Sequence, residues 1–216
     1  MTASPSPKEF EDMFDRGDRE NEINKSAEMK KYQIIVIDPP WPISKLKRRI
    51  RPNQVNMEYL MMSIEDIKNL DIENIADDKS IIFCWTISGF LFETKDIIEN
   101  WGFKYHLTMA WDKTNGIALY GFTRQTEFIV VGLRGKHEMF PKRSTIRTSF
   151  TTKSPFHSAK PDEFYQMLDV LDGERIDIFA RRGRNTLMGK SWDVWGNEVK
   201  SNIELTQKKW GRNIST

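Results

Sequence analysis

The sequence predicts an α/β fold, with a mostly parallel sheet and helices on both of its faces. Three observations carry that expectation. Tyr32-Gln-Ile-Ile-Val-Ile37 and Ser80-Ile-Ile-Phe-Cys-Trp85 are short, nearly continuous apolar runs, as strands buried on both faces require. The segments around them carry helical spacing and cap signals. Strand and helix patterns then alternate along the chain, which is the pattern of a sheet covered on both sides. With 216 residues, the chain can bury roughly 70% of its unfolded surface, so its core needs no covalent staples.

Taken in order, residues 1–30 form a charged N-terminal arm, in which Phe10, Met13 and Phe14 have the spacing of a short docking helix. The first strand stops at Asp38-Pro39-Pro40-Trp41, because two prolines cannot continue a ladder. Ser63-Ile-Glu-Asp66 has capping-box spacing and opens a helix. The second strand, 80–85, is followed by a helix over about 89–101 that ends at Gly102. Residues 103–111 and 126–131 read as further strands. Pro161 starts a helix, where its missing N–H does no harm. Phe164, Met167, Leu168 and Leu171 form that helix's apolar stripe, and Gly173 closes it. Residues 175–179 are the last strand, and 201–216 form a polar, basic tail after a domain spanning 31–200.

Composition removes several function classes. Lys+Arg 33 against Asp+Glu 31 leaves a net charge of +2, so any binding to a polyanion has to come from local patches. The single cysteine, Cys84, excludes an internal disulfide, a CxxC pair and a cysteine-rich zinc site. Inside a buried strand it reads as core. His106, His137 and His157 show no i, i+4 spacing, so no metal is expected. His106 reads as packed within its strand and His157 as a loop residue. No apolar run reaches the ~18 residues of a membrane span, and no signal peptide opens the chain. An intracellular protein is expected.

Asp38-Pro-Pro-Trp41 is the informative motif, since ligands of open α/β sheets sit outside the carboxyl ends of strands. Asp38 is an acceptor-only carboxylate at neutral pH. Pro39 precedes another proline and is held extended, so its carbonyl has no helical partner and is free to point into the cleft. Trp41 offers a flat face to an unstacked base. Two acceptors beside an aromatic plate suit the exocyclic amine of a nucleobase. Accepting both amine protons stabilises the positive charge that develops as the nitrogen attacks an electrophile, and losing one such group typically costs ~100-fold or more.

Several further blocks follow in order: Tyr59-Leu-Met-Met-Ser63, Trp101-Gly-Phe-Lys104, Trp111-Asp-Lys-Thr-Asn115, Glu127 within Thr-Glu-Phe-Ile-Val-Val-Gly132, His157-Ser-Ala-Lys-Pro161, Asp177-Ile-Phe-Ala-Arg181 and Trp195-Gly-Asn-Glu198. With Asp38-Pro-Pro-Trp41, this ordered set resembles the MT-A-seventy family of adenine methyltransferases over roughly residues 31–199. The resemblance implies a Rossmann-like methyltransferase sheet in permuted motif order, with S-adenosyl-L-methionine as cofactor. It implies that Lys160 binds the cofactor's carboxylate and that Asp38 faces its ammonium as well as the target amine. It also implies that Arg181, Asn197 and Glu198 contact the ribose, with one of Gly183, Arg184 and Asn185 over it. The acidic position that touches the cofactor's adenine falls on Glu20 or Glu22.

Lys45-Leu-Lys-Arg-Arg-Ile-Arg51 leaves the motif directly, and Lys45, Lys47, Arg48, Arg49 and Arg51 are candidate phosphate contacts. A second basic stretch carries Lys142, Arg143, Arg147 and Lys153. Tyr59 is placed to wall or stack a flipped base. The expected function is transfer of a methyl group to the 6-amino group of adenine in DNA. DNA is preferred because the chain is little more than the catalytic unit and has no cysteine-rich fingers. Alternatives are an RNA adenosine methyltransferase and an inert scaffold subunit of such a complex. Nucleic acid is the expected partner, with a homo- or heterodimer with a related subunit possible. The cytoplasm of a prokaryote or phage-infected host is the favoured location, or the nucleus if the source is eukaryotic.

Overall fold

The computed structural model describes residues 30–43, 61–136, 145–153, 160–183 and 189–205. Seven strands form one sheet: β1 (Tyr32–Ile37), β2 (Ala76–Thr86), β3 (Lys104–Leu119), β4 (Phe122–Arg134), β5 (Ser149–Thr151), β6 (Arg175–Ile178) and β7 (Asp193–Trp195). Their order across the sheet is β5-β3-β4-β2-β1-β6-β7. β1 pairs parallel with β2 and β6, β6 with β7, and β3 with β5. Only the pairs made by β4 are antiparallel, so every strand except β4 runs one way. The mostly parallel expectation therefore holds.

The alternating side chains of β1 explain its continuous apolar run. Ile35 and Ile37 enter one core with Ile67, Leu70, Ile97 and Ile98. Ile34 and Val36 enter a second core with Phe164, Leu168 and Leu171. Helices α1 (Ile64–Lys68), α2 (Ile72–Ile75) and α3 (Leu91–Asn100) cover the first face, and α4 (Asp162–Met167) covers the second. Burying both faces of a strand with branched apolar residues is what selects a central position. Leu205 also belongs to the first core.

The cap signals are realised with small differences. Ser63 caps α1 by accepting the Asp66 N–H at 3.0 Å, while its own hydroxyl donates to the Asp66 carboxylate at 2.7 Å. α3 begins after a single 3-10 turn, Ser88–Phe90, and ends in a Schellman motif. There Gly102 takes φ 84, its N–H donates to Glu99, and the Phe103 N–H donates to Ile98, both at 3.1 Å. Pro161 is the N-cap of α4 rather than its first residue, so the helix starts one residue later than expected. The strands read at 103–111 and 126–131 are the inner parts of one long hairpin, whose tip is Tyr120–Gly121. Among the described residues no helix is long and apolar enough to cross a membrane.

Candidate active site

The register brings three strand ends to one level: Ile37 pairs with Cys84 of β2 and with Ile178 of β6. Asp38 leaves β1 there, its N–H donating to the Ile178 carbonyl at 3.2 Å. Two successive tight turns follow. The Trp41 N–H donates to the Pro39 carbonyl at 2.9 Å and the Ile43 N–H to the Trp41 carbonyl at 2.7 Å, the i to i+2 pattern of γ-turns. The Pro39 carbonyl is therefore not unpartnered, as the sequence suggested; one lone pair is engaged and the other remains.

Trp41 is also placed differently from the open plate expected. It is 6% exposed, and its ring stacks on Phe90 with centroids 5.3 Å apart and planes 13° from parallel. Its indole N–H donates to the Trp85 carbonyl at 3.0 Å. A large ring beside a sheet end gains more from burial than from water, so Trp41 braces the turn that carries Asp38.

Lys160 comes from the chain just before α4, across the sheet's second face. Its Nζ lies 3.0 Å from Asp38 Oδ1 and 3.1 Å from Glu127 Oε2, and 5.0 Å from the centre of the Trp85 ring. Glu127, on β4, reaches Lys113 of β3 with its other oxygen at 3.0 Å. Burial alone would lower the Lys160 pKa, but the two carboxylates outweigh it and raise the ammonium above its ordinary value. Burial would likewise raise Glu127, yet Lys160 and Lys113 hold it below the usual range. Asp38 goes the other way. Its burial, with Glu127 nearby, prevails over the pull of Lys160 and Arg181 and raises its carboxyl. The two ends of the Asp38–Lys160 pair differ because Lys160 faces two carboxylates while Asp38 is in contact with one ammonium. Asp38 is thus the more readily protonated carboxylate of the two.

In the sequence Glu127 stands within one of the ordered blocks and carries no assigned role. Its signal was legible, since a lone carboxylate heads the apolar run 128–131, and a buried charge requires a partner.

The opposite side of the same edge brings Arg181 and Glu198 together, Nε to Oε1 at 3.7 Å. The crossing that does so is close. The Ala180 N–H donates to the Trp195 carbonyl at 3.0 Å, and a Cβ on Gly196 would lie 2.4 Å from the Ala180 oxygen, so only glycine fits. Phe179 takes φ 63, a rare conformation for a bulky residue, and packs edge-on to Trp195 at 5.1 Å. Asn197 is exposed in the same turn.

The structure thus brings Asp38, Lys160 and Glu127 into contact and pairs Arg181 with Glu198. Tyr59, Lys45, Lys47, Arg48, Arg49 and Arg51 lie outside the described residues, as do Glu20, Glu22, Lys142, Arg143, His157, Arg184 and Asn185. His106 is exposed rather than packed, because β3 breaks register between Tyr105 and Leu107. Cys84 is fully buried, and burial pushes its thiol well up, as an inert core residue requires.

The MT-A70 family profile matches residues 32–198. The chain belongs to the MT-A70 family. Members of that family are adenine N6-methyltransferases, and the matched range runs from β1 to Glu198. The chain is 30% identical over 207 residues to the type II methyltransferase M.MunI of Mycoplasma sp., covering 86% of this chain and 85% of that protein. It is 23% identical over 180 residues to the N(6)-adenosine-methyltransferase catalytic subunit METTL3 of Homo sapiens, covering 78% of this chain and 28% of that one. It is also similar to the N6-adenosine-methyltransferase non-catalytic subunit MTB of Arabidopsis thaliana, 31% over 140 residues, or 63% of this chain and 17% of MTB. For an MT-A70 chain, the resemblance read from the ordered motifs and the α/β sheet are thereby both borne out.

Proposed function

We propose that this MT-A70 chain transfers the methyl group of S-adenosyl-L-methionine to the exocyclic 6-amino group of adenine in DNA. The observation that carries the reading is the array at the carboxyl ends of the strands in which buried Lys160 holds the partly buried Asp38 and Glu127, directly behind the Pro39–Trp41 turn.

The residues present suit the cofactor. Its methionine end carries an ammonium and a carboxylate, and the site offers a carboxylate and an ammonium side by side in Asp38 and Lys160. Ribose hydroxyls call for acceptors and forked donors, which Arg181, Asn197 and Glu198 supply. These groups flank the end of β1 where β2 and β6 leave on opposite sides, the switch point at which open α/β sheets bind ligands. When bound, S-adenosyl-L-methionine supplies an electrophilic methyl carbon on a sulfonium.

The protein's part is positioning and electrostatics. Lys160 fixes Asp38 Oδ1, and Oδ2 has no partner among the described residues, so it is the oxygen available to an amine proton. The second lone pair of the Pro39 carbonyl supplies the other acceptor. Positive charge developing on the amine is stabilised by the partly buried Asp38 carboxylate, whose position Lys160 fixes in advance. The raised Asp38 carboxyl then suits it to hold the proton that the methylated amine gives up. The target base has to be unpaired or flipped, since a stacked base cannot reach a strand end.

DNA is preferred as the polymer because the match extends over 85% of the type II methyltransferase but over 28% of METTL3. The METTL3 similarity supports RNA adenosine as the second reading. The MTB similarity keeps an inert subunit in view, and the intact Asp38–Pro39–Pro40–Trp41 motif argues against it. A dimer with a related subunit, and a location inside the cell beside nucleic acid, belong to the same proposal. So does the division into an arm (1–30), a catalytic unit (31–200) and a tail (201–216). The test is purified protein with methyl-labelled cofactor, given DNA and RNA oligonucleotides of matched sequence in parallel. Label in DNA supports the proposal, label in RNA alone moves it to the second reading, and label in neither leaves the subunit reading.

A further inference from the structure

β3 and β4 run past the rest of the sheet. The last residue of β2, Thr86, pairs with Phe128, and β5 pairs only with Ala110, Trp111 and Asp112 of β3. Beyond that level, residues 113–125 are a ribbon of two strands projecting from the edge that carries Asp38. Its root belongs to the site, through the Lys113–Glu127–Lys160–Asp38 chain of ion pairs. Phe122, beside its tip, lies five residues along β4 from Glu127, about 17 Å at the usual strand rise.

The ribbon is a built structure. Gln125 donates to the Asp112 carboxylate at 3.2 Å, which also accepts the Thr114 N–H at 2.8 Å. The register breaks between Asp112 and Ile117, and there the strands approach so closely that a Cβ on Gly116 would meet the Arg124 oxygen at 2.5 Å. Such a bulge re-aims a strand. Leu119 pairs with Phe122, so Tyr120–Gly121 is a two-residue turn with φ 50 and 80, both positive as a I′ turn needs. Asparagine or glycine holds that first position with less strain than tyrosine.

What Tyr120 adds is its ring, 83% exposed, beside Phe122 at 76%. Phe122 and Arg124 are two residues apart on one strand and share a face. Arg124 is exposed, with no ion-pair partner among the described residues. In a chain with Asp+Glu 31, no carboxylate occurs from Lys113 to Thr126. A protein-binding surface has no need to exclude acidic residues so completely, whereas a surface meeting a polyanion does.

We propose that this ribbon is a strand-holding arm. Tyr120 and Phe122 stack on bases of the nucleic acid next to the target adenine, and Arg124 contacts its backbone. The inference rests on the proposed function and adds where the polymer runs. Stacking on aromatic rings is sequence-tolerant, and each ring removed typically weakens binding by about 5- to 150-fold.

The test compares wild type, Tyr120→Asn/Phe122→Thr and Arg124→Ala. The paired variant keeps a residue suited to the turn and a strand former, and cofactor titration checks that each protein retains its site. Binding of a fluorescent adenine-containing oligonucleotide is followed by anisotropy at several salt concentrations, together with KM and kcat for methylation. The arm predicts at least about tenfold weaker binding and a raised KM for the paired variant, with kcat at saturation kept. It predicts a salt slope lowered by about 0.7–0.9 for Arg124→Ala. Wild-type affinity and KM in the paired variant would overturn the arm while leaving the methyltransferase reading standing. A wild type that binds cofactor but no oligonucleotide would overturn that reading itself, and the arm with it. A variant that changes the protein from dimer to monomer without oligonucleotide would make the ribbon a subunit contact and overturn the strand role.

Discussion

Lys160 holds Asp38 by an ion pair of 3.0 Å in which the lysine side chain is 9% exposed and the aspartate 26%. The more open member is the one the chemistry needs, and the closed member keeps it in place. Glu127 secures Lys160 from behind at 3.1 Å. The site is therefore a short array of alternating charge rather than a single carboxylate.

Lys160→Ala is expected to weaken S-adenosyl-L-methionine binding by about 1.5–3 kcal/mol, the usual worth of a hydrogen bond to a charged group. Arg181→Ala weakens it as well, whereas Lys95→Ala, which breaks only an exposed helix pair with Glu99, leaves it unchanged. Titration calorimetry reads all three, with circular dichroism to confirm folding. Equal affinity for the Lys160 variant would remove it from the cofactor site.

Glu127 sets a pH dependence with a definite sign. Its folded pKa lies below the ordinary 4.5, so its contribution to stability is complete above that pH and is lost as the pH falls through the folded value. Asp38 has the opposite sign. Its folded pKa lies above 3.8, so between the two values the folded state binds more protons and stability falls as pH rises. Glu127→Gln should reduce the acid-side loss and also shrink the Asp38 slope, since Glu127 is one of the charges that raise that carboxyl. Urea midpoints measured from about pH 3 to 6 decide this, and an unchanged acid limb in the variant would contradict it.

The basic run after the motif gives a third expectation. If residues 45–51 track phosphates, replacing Lys47, Arg48 and Arg49 together flattens the salt dependence of nucleic-acid binding by about two to three units. Cofactor affinity stays the same. An unchanged slope would move the phosphate contact to Arg147, Lys153 and their neighbours.

Much of this architecture was legible because its signals are local. The apolar run of β1, the proline stop at Asp38, the caps at Ser63 and Gly102 and the apolar stripe 164–171, which α4 begins and a 3-10 turn at Leu168–Val170 completes, each follow from neighbouring residues. The rest depends on distant partners. Nothing near Trp41 announces that Phe90 will stack on it, and the Pro39 carbonyl is engaged by a turn that only the fold fixes. Asp112-Lys-Thr-Asn-Gly116 has the composition of a loop, yet a register bulge carries it through as strand. Tyr120–Gly121 lacks the Asn-Gly of a common hairpin, which hid the ribbon. β5 and β7 have three residues each, too few for a period to show. Lys160 is legible through its motif, whereas the significance of Glu127 depends on Lys160 and Lys113 closing on it from distant elements.

In the proposed reaction the Asp38 carboxylate, held by Lys160, drives methylation of an adenine amine. The most direct measurement is the amount of 6-methyladenine in a DNA oligonucleotide, by mass spectrometry of its digest, after incubation with wild type or Asp38→Asn. The exchange keeps the shape and a carbonyl acceptor but removes the negative charge. Wild type should yield 6-methyladenine, and Asp38→Asn should lower the rate by about 100-fold or more while remaining folded. Near wild-type turnover by a folded Asp38→Asn protein would show that the charge of this carboxylate does not drive the reaction.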